Sequence, residues 1–172
     1  TDLDQVDPTY IALLLRYEDK RFYAHRGVDP VAVLRAIGQS IRNGHAVSGG
    51  STLTMQVARL IENSGTGSWS GKVRQIRVAL ALEQRLTKDE ILLLYLNRAP
   101  FGGNIEGLRS ATYAYFGKPP RRLTLAESAL LVALPQSPET RRPDRNHDAA
   151  VAARDRVLDR MAGAGLVTRD AV

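Results

Sequence analysis

Asp7-Pro8-Thr9-Tyr10-Ile11-Ala12-Leu13-Leu14-Leu15-Arg16-Tyr17-Glu18-Asp19-Lys20-Arg21-Phe22-Tyr23-Ala24-His25 is the stretch whose periodicity decides the fold class. Aspartate directly before proline is an N-cap followed by a residue whose fixed φ and missing N–H suit the first helical position, so a helix is predicted from Pro8 to about Ala24. Ile11, Leu14, Leu15 and Phe22 fall at i, i+3, i+4 and i+11, one face of an amphipathic helix. Asp29-Pro30 repeats the device ahead of Val31, Leu34, Ile37 and Ile41. Thr87-Lys88-Asp89-Glu90 and Thr124-Leu125-Ala126-Glu127 fit the capping box, in which threonine and glutamate satisfy each other's end of the helix. Further helices are predicted over Leu53–Glu62, Lys72–Leu86, Ile105–Phe116 with Gly117 as its stop, and Ala149–Ala162 with Gly163 as its stop. No convincing alternating strand pattern appears, so the class is all-α. Gly44–Gly50, Asn63–Gly71, Arg98–Asn104 and Pro135–Asn146 read as irregular, and Thr168 reads as the start of another helix in an excised piece.

The 172 residues, 44% of them hydrophobic, suffice for one compact domain spanning 1–172, with the residues after about 146 expected to begin a linker toward a following domain. Twenty-four Lys and Arg against eighteen Asp and Glu give a net charge of +6, which favours anionic partners. A nucleic-acid partner is not expected, because aromatic and basic residues do not interleave and no DNA-reading helix is recognisable. The absence of cysteine removes disulfides, thiolate metal sites and thiol nucleophiles. No uncharged run approaches the roughly 20 residues needed to cross a bilayer. Val31–Val47, which combines Val31, Val33, Leu34, Ile37 and Ile41 with Arg35, Arg42 and His45, reads either as a helix at a membrane interface or as an ordinary core helix.

Three features carry chemistry. Glu18 falls seven residues after Ile11, on the apolar stripe, where desolvation favours the neutral acid and suits a general base. A boundary glutamate paired with Arg or Lys would look the same. Ser48-Gly49-Gly50-Ser51-Thr52-Leu53-Thr54 leads into a helix whose first N–H groups are unpaired. Such a segment is either a phosphate cradle or a plain loop-to-helix cap; it lacks the Gly-Lys-Ser/Thr ending of a P-loop. Lys72, Arg74 and Arg77 on one helix, with Arg59 on the preceding one, are either donors for a pyrophosphate or a solvated face.

Taken together, these segments match a family pattern. Glu18-Asp19-x-x-Phe22-x-x-His25-x-Gly27 resembles the first motif of the family 51 peptidoglycan glycosyltransferases at every fixed position. Gly49-Gly50-Ser51-Thr52-Leu53-Thr54-Met55-Gln56 resembles the second, with Met55 where glutamine is common. Lys72, Ala79, Leu82 and Glu83 resemble the third. Lys88-Asp89-Glu90-Ile91-Leu92 with Tyr95-Leu96-Asn97 resembles the fourth, and Tyr115-Phe116-Gly117-Lys118 a later element. Met55-Gln56-Val57-Ala58-Arg59 and Asn97-Arg98-Ala99-Pro100-Phe101-Gly102-Gly103 resemble the 1C branch of the class A penicillin-binding proteins.

The resemblance implies a lysozyme-like helical fold with a membrane-facing helical subdomain, working at the periplasmic side of the bacterial inner membrane. It implies polymerisation of lipid II into β-1,4 glycan with release of undecaprenyl pyrophosphate. Glu18 would be the base, with Asp19, Phe22, His25, Gly27 and Gln75 supporting it. Gly49, Gly50, Ser51, Thr52, Thr54, Gln56, Arg59, Lys72, Arg74 and Asn97 would bind substrate. Lipid II, the nascent glycan chain and the membrane surface are the implied partners; other proteins of cell-wall synthesis and a divalent cation are admitted, with no metal-ligating residue assigned. The pattern breaks at Gln75, where the family usually has a second glutamate, and at Gly71, where it has arginine. Glutamine takes no proton at neutral pH, and Glu83, eight residues along the helix, lies about 12 Å away. Gln75 therefore leaves a non-catalytic lipid II or partner-binding domain as one alternative. A lytic transglycosylase, which also uses a lone glutamate in a helical fold, is the other.

Overall fold

The computed structural model describes residues 2–43, 50–62 and 69–171. They hold eight α-helices: α1 (Pro8–Glu18), α2 (Pro30–Asn43), α3 (Leu53–Glu62), α4 (Trp69–Arg85), α5 (Lys88–Arg98), α6 (Leu108–Phe116), α7 (Leu125–Ala133) and α8 (His147–Gly163). Between α5 and α6 lies a short antiparallel pair, β1 (Pro100–Gly102) and β2 (Ile105–Glu106). The chain divides into two compact units, Thr1–Tyr17 with Leu96–Val172, and Glu18–Tyr95.

Most helices begin where the caps place them. Thr9 N–H donates to Asp7 Oδ1 at 2.9 Å, and Val31 and Ala32 N–H donate to Asp29 Oδ1 at 3.0 and 3.2 Å. Both threonine–glutamate boxes close: Thr87 N–H reaches Glu90 Oε2 at 2.7 Å, and Thr124 N–H reaches Glu127 Oε2 at 2.7 Å. Gly117 ends α6 in the left-handed conformation at φ +66°.

Four expectations are corrected. The first helix stops at Glu18 instead of Ala24, and Phe22–Ala24 forms a separate 3₁₀ turn. The carboxylate of Asp19 is held by His25 and by the backbone of Leu53, which turns the chain away from the helix axis. The face that α1 buries is Tyr10, Leu13 and Leu14, with Phe22 buried on its own turn. Ile105 and Glu106, expected in α6, form β2, and α6 starts at Leu108, since Gly107 at φ +82° breaks the helical pattern. The segment after 146, expected both to begin a linker and to hold a helix over Ala149–Ala162, is that helix, α8, begun at His147. Asn146 Oδ1 caps it by accepting from Ala149 N–H, and Ala150, Ala153, Val157, Leu158 and Met161 are buried on the side that packs against α7.

In the Glu18–Tyr95 unit, α3 and α4 pack on each other. Met55, Ala58 and Ala79 form the centre of that contact, flanked by Val28, Ile76, Val78 and Leu82.

Candidate active site

Glu18 is the last residue of α1 and is half-buried. Its Oε2 accepts a hydrogen bond from Gln56 Nε2 at 2.9 Å, so the first turn of α3 holds the carboxylate. The next residue anchors that turn. Asp19 Oδ2 accepts from Leu53 N–H at 2.9 Å and from His25 Nε2 at 2.8 Å, and both side chains of the Asp19–His25 pair are almost fully buried. The carboxylate occupies the exposed-donor end of α3, where negative charge complements the helix dipole. The same contact fixes the proton on Nε2 of His25, and Nδ1 is buried without a partner.

Thr52 and Gly27 make the second tie. Thr52 Oγ1 donates to Gly27 O at 2.6 Å and accepts from Met55 N–H at 3.1 Å, acting as the N-cap of α3. Gly27 has φ +83°, and a Cβ there would stand 3.0 Å from Ala79 O on α4. Only glycine fits both the backbone angle and the approach of α4. Gly50 has less room to spare than its ordinary φ implies, since a Cβ would meet Ala36 Cβ of α2 at 3.3 Å.

Lys72 on α4 hydrogen-bonds Ser51 Oγ. Burial, and then the nearby Arg59 guanidinium, lower the pKa of its ammonium. Ser51, Arg59 and Lys72 are therefore one cationic cluster. Gln75, one turn along α4, is 7% exposed on the side that also buries Ala79. Thr54 is fully buried and donates to Glu83 Oε1 at 2.7 Å, so it serves the α3–α4 contact and not an open surface. Phe22 packs edge-on against the rings of Tyr23 and His25 at 5.1 and 6.3 Å.

The expected substrate-binding set does not all gather here. Arg74 lies two residues from Lys72, about 200° around the helix. Its Nε donates to Glu62 Oε1 at 2.7 Å, and its side chain is 69% exposed. Together with Arg77, Val78 and Ala81 it lines a shallow groove on the other flank of α4. Asn97 belongs to the other compact unit, where its carbonyl lies 2.8 Å from the position a Cβ on Gly107 would take. Gly49 lies outside the described residues. Sequence reasoning missed the partner of Glu83: Lys88 Nζ donates to its Oε1 at 2.6 Å. Lys88, five residues after Glu83 and at the opening of the next helix, was the available signal. Among the described residues no group of three His, Asp or Glu is placed to hold a metal ion.

The family model described as Transglycosylase matches residues 1–162. Penicillin-binding protein 1C of Escherichia coli (strain K12) is 49% identical over 170 residues, which is 99% of this chain and 22% of that protein. Penicillin-binding protein 1A of the same organism is 42% identical over 167 residues, 97% of this chain and 20% of that protein. Penicillin-binding protein 1F of Bacillus subtilis (strain 168) is 37% identical over 164 residues, 95% of this chain and 22% of that protein. The chain thus spans about a fifth of the length of these relatives. Identity is higher to the 1C protein than to either of the other two, the branch that the Met55–Arg59 and Asn97–Gly103 segments resemble. The match runs through every motif from Glu18 to Lys118, and the chain belongs to the transglycosylase family, whose lysozyme-like helical fold it carries.

Proposed function

We propose that this domain is a peptidoglycan glycosyltransferase that extends a lipid-linked glycan with lipid II. The observation that carries the proposal is the Gln56-held carboxylate of Glu18 in the same compact unit as the Ser51, Arg59 and Lys72 cluster. Glu18 takes the proton from the acceptor sugar's 4-hydroxyl as that oxygen attacks the anomeric carbon of the growing chain. The C–O bond to pyrophosphate breaks, its electron pair leaves with undecaprenyl pyrophosphate, and the α-linked donor becomes a β-1,4 link. Pyrophosphate is a good leaving group without protonation, so one base suffices and the main electrostatic task is to stabilise the departing charge. Lys72 and Arg59 supply that stabilisation; a divalent cation accompanying the substrate would add positive charge to the same task.

Arg74 is left out of this role, because it turns to Glu62. Gln75 keeps a hydrogen-bonding side chain next to Lys72 without adding negative charge there. The domain works on a membrane-borne substrate, at the periplasmic face of the inner membrane.

The test is incubation of the protein with labelled lipid II, followed by separation of products by size. Polymer supports the proposal. Unchanged lipid II with retained binding would make the chain a binder, and cleavage of supplied glycan strands would make it a lytic enzyme.

A further inference from the structure

The ion pair between Glu83 and Lys88 has no role in the reaction just described. Glu83 Oε1 accepts from Lys88 Nζ at 2.6 Å and from Thr54 Oγ1 at 2.7 Å, and the two charged side chains are 7% and 17% exposed. Lys88 also places its ammonium 4.5 Å from the centroid of the Phe22 ring. One buried pair therefore touches four segments: α3 through Thr54, α4 through Glu83, α5 through Lys88, and the turn after Glu18 through Phe22.

The first turn of α3 is the element these contacts share with the base. Asp19 holds it at Leu53 N–H, Glu83 holds it at the Thr54 hydroxyl, and two residues later Gln56 donates to Glu18. Helices tolerate small rigid shifts, so a turn fixed at only one of these points can tilt and carry Gln56 away from its partner. A displacement of about 1 Å in catalytic geometry is enough to cost up to roughly a hundredfold in rate. We propose that Glu83 and Lys88 are positioning residues: their ion pair fixes the first turn of α3 so that Gln56 keeps the Glu18 carboxylate in register, and Glu83 exchanges no proton with substrate. The inference rests on Glu18 being the base. Glu83 Oε1 is already occupied by two donors, and Glu83 lies about 12 Å along α4 from Gln75, so it is no replacement for a carboxylate at that position.

Three variants test this: Glu83→Gln, Lys88→Met, and the two combined. Leaving one member of a buried pair alone is far more disruptive than removing both. Each single variant is expected to lower kcat on lipid II by roughly ten- to a hundredfold, with KM near wild type. Hydrogen exchange followed by mass spectrometry should rise over residues 53–58 and stay at the wild-type level over α7 and α8. The double variant, which keeps an amide oxygen for Thr54 and strands no buried charge, should regain stability but, lacking the ion pair, stay slower than wild type and exchange faster over 53–58; wild-type kcat and exchange in it would count against the proposal. If a single variant does not fold, the double variant against wild type supplies the comparison. Wild-type kcat and wild-type exchange in a folded single variant would overturn the proposal. So would a double variant that remains as slow as Glu83→Gln although its exchange over 53–58 is restored, because Glu83 would then act in the chemistry. If the wild-type protein makes no polymer, only the reaction proposed above is lost, and the exchange data alone decide the positioning role.

Discussion

At the scale of single residues, Asp19 is held by His25 and the backbone of Leu53, Glu83 by Lys88 and Thr54, and Glu18 Oε2 accepts from the Gln56 amide. Glu18→Gln keeps an oxygen for Gln56 and loses only the capacity to accept a proton. Polymerisation should fall by roughly 10²- to 10⁴-fold, with an unchanged circular dichroism spectrum and melting temperature; turnover near wild type would remove Glu18 as the base. Lys72 carries a pH signature of its own. Burial and Arg59 lower its pKa, so its charge is lost at a lower pH than that of a free lysine as pH rises. Inhibition by inorganic pyrophosphate should therefore weaken on the alkaline side, and Lys72→Arg, whose guanidinium stays protonated, should flatten that loss. A profile identical in both proteins would show that Lys72 does not meet the anion. Gln75→Glu places a carboxylate on the buried side of α4 one turn from Lys72. Turnover of the variant should respond more strongly to added Mg²⁺ than that of wild type, for which a weak dependence is expected; equal responses would deny this position an electrostatic role.

At the scale of elements, caps were the most legible signal, because they are local chemistry. Thr124 and Glu127 close their box, and Glu127 is also paired with Lys118 at 2.6 Å. Burial alone would raise the pKa of Glu127, but the hydrogen bonds from Lys118 and Thr124 outweigh it and the net direction is down. A carboxylate with a depressed pKa in the fold stabilises above its unfolded value, and that contribution disappears as pH falls through the folded one. Thr124→Ala should cost about 1 kcal/mol in urea unfolding at neutral pH, and the gap to wild type should narrow in acid. An equal gap at both pH values would dissociate the cap from the ionisation of Glu127. What the sequence concealed was non-local. The end of α1 at Glu18 depends on the bond between Asp19 and Leu53, which lie 34 residues apart. The β1–β2 pair is too short for an alternating pattern, and its geometry rests on Gly102 and Gly103 at φ +110° and +58° beneath the Arg142 side chain. The divergence of Arg74 from Lys72 was legible in principle, since two residues are more than half a helical turn. The first-motif residues come together through tertiary contacts and not through helical spacing: α1 ends at Glu18, Asp19 is bound by His25 and by the start of α3, and Gly27 lies against Thr52 and α4.

At the scale of the whole molecule, no helix among the described residues is long and apolar enough to cross a membrane, so the proposed lipid-linked substrate would have to be met from the membrane surface. α2 offers a surface. Val31, Leu34 and Ile41 are 44%, 69% and 79% exposed, well beyond what a core helix leaves uncovered. At 3.6 residues per turn they share an arc of about 120° with Arg35 and Arg42, both exposed. The side chain of Ile37 and residues 44–47, also part of the expected interfacial segment, lie outside the described residues. Aliphatic side chains flanked by arginines suit the boundary between acyl chains and anionic headgroups, and the net charge of +6 adds a longer-range attraction. Burying a leucine or isoleucine fully is worth about 1.5–3 kcal/mol, so Leu34→Asp with Ile41→Asp should weaken binding to anionic vesicles by at least about tenfold. The electrostatic part has a different dependence: between about 0.1 M and 1 M salt the screening length falls from roughly 10 Å to 3 Å, which should reduce wild-type binding while leaving the aliphatic contribution. Vesicle flotation measures both. Binding unchanged in the double variant would assign α2's exposed face to something other than the bilayer, and binding insensitive to salt would show that the excess positive charge does not face the lipid.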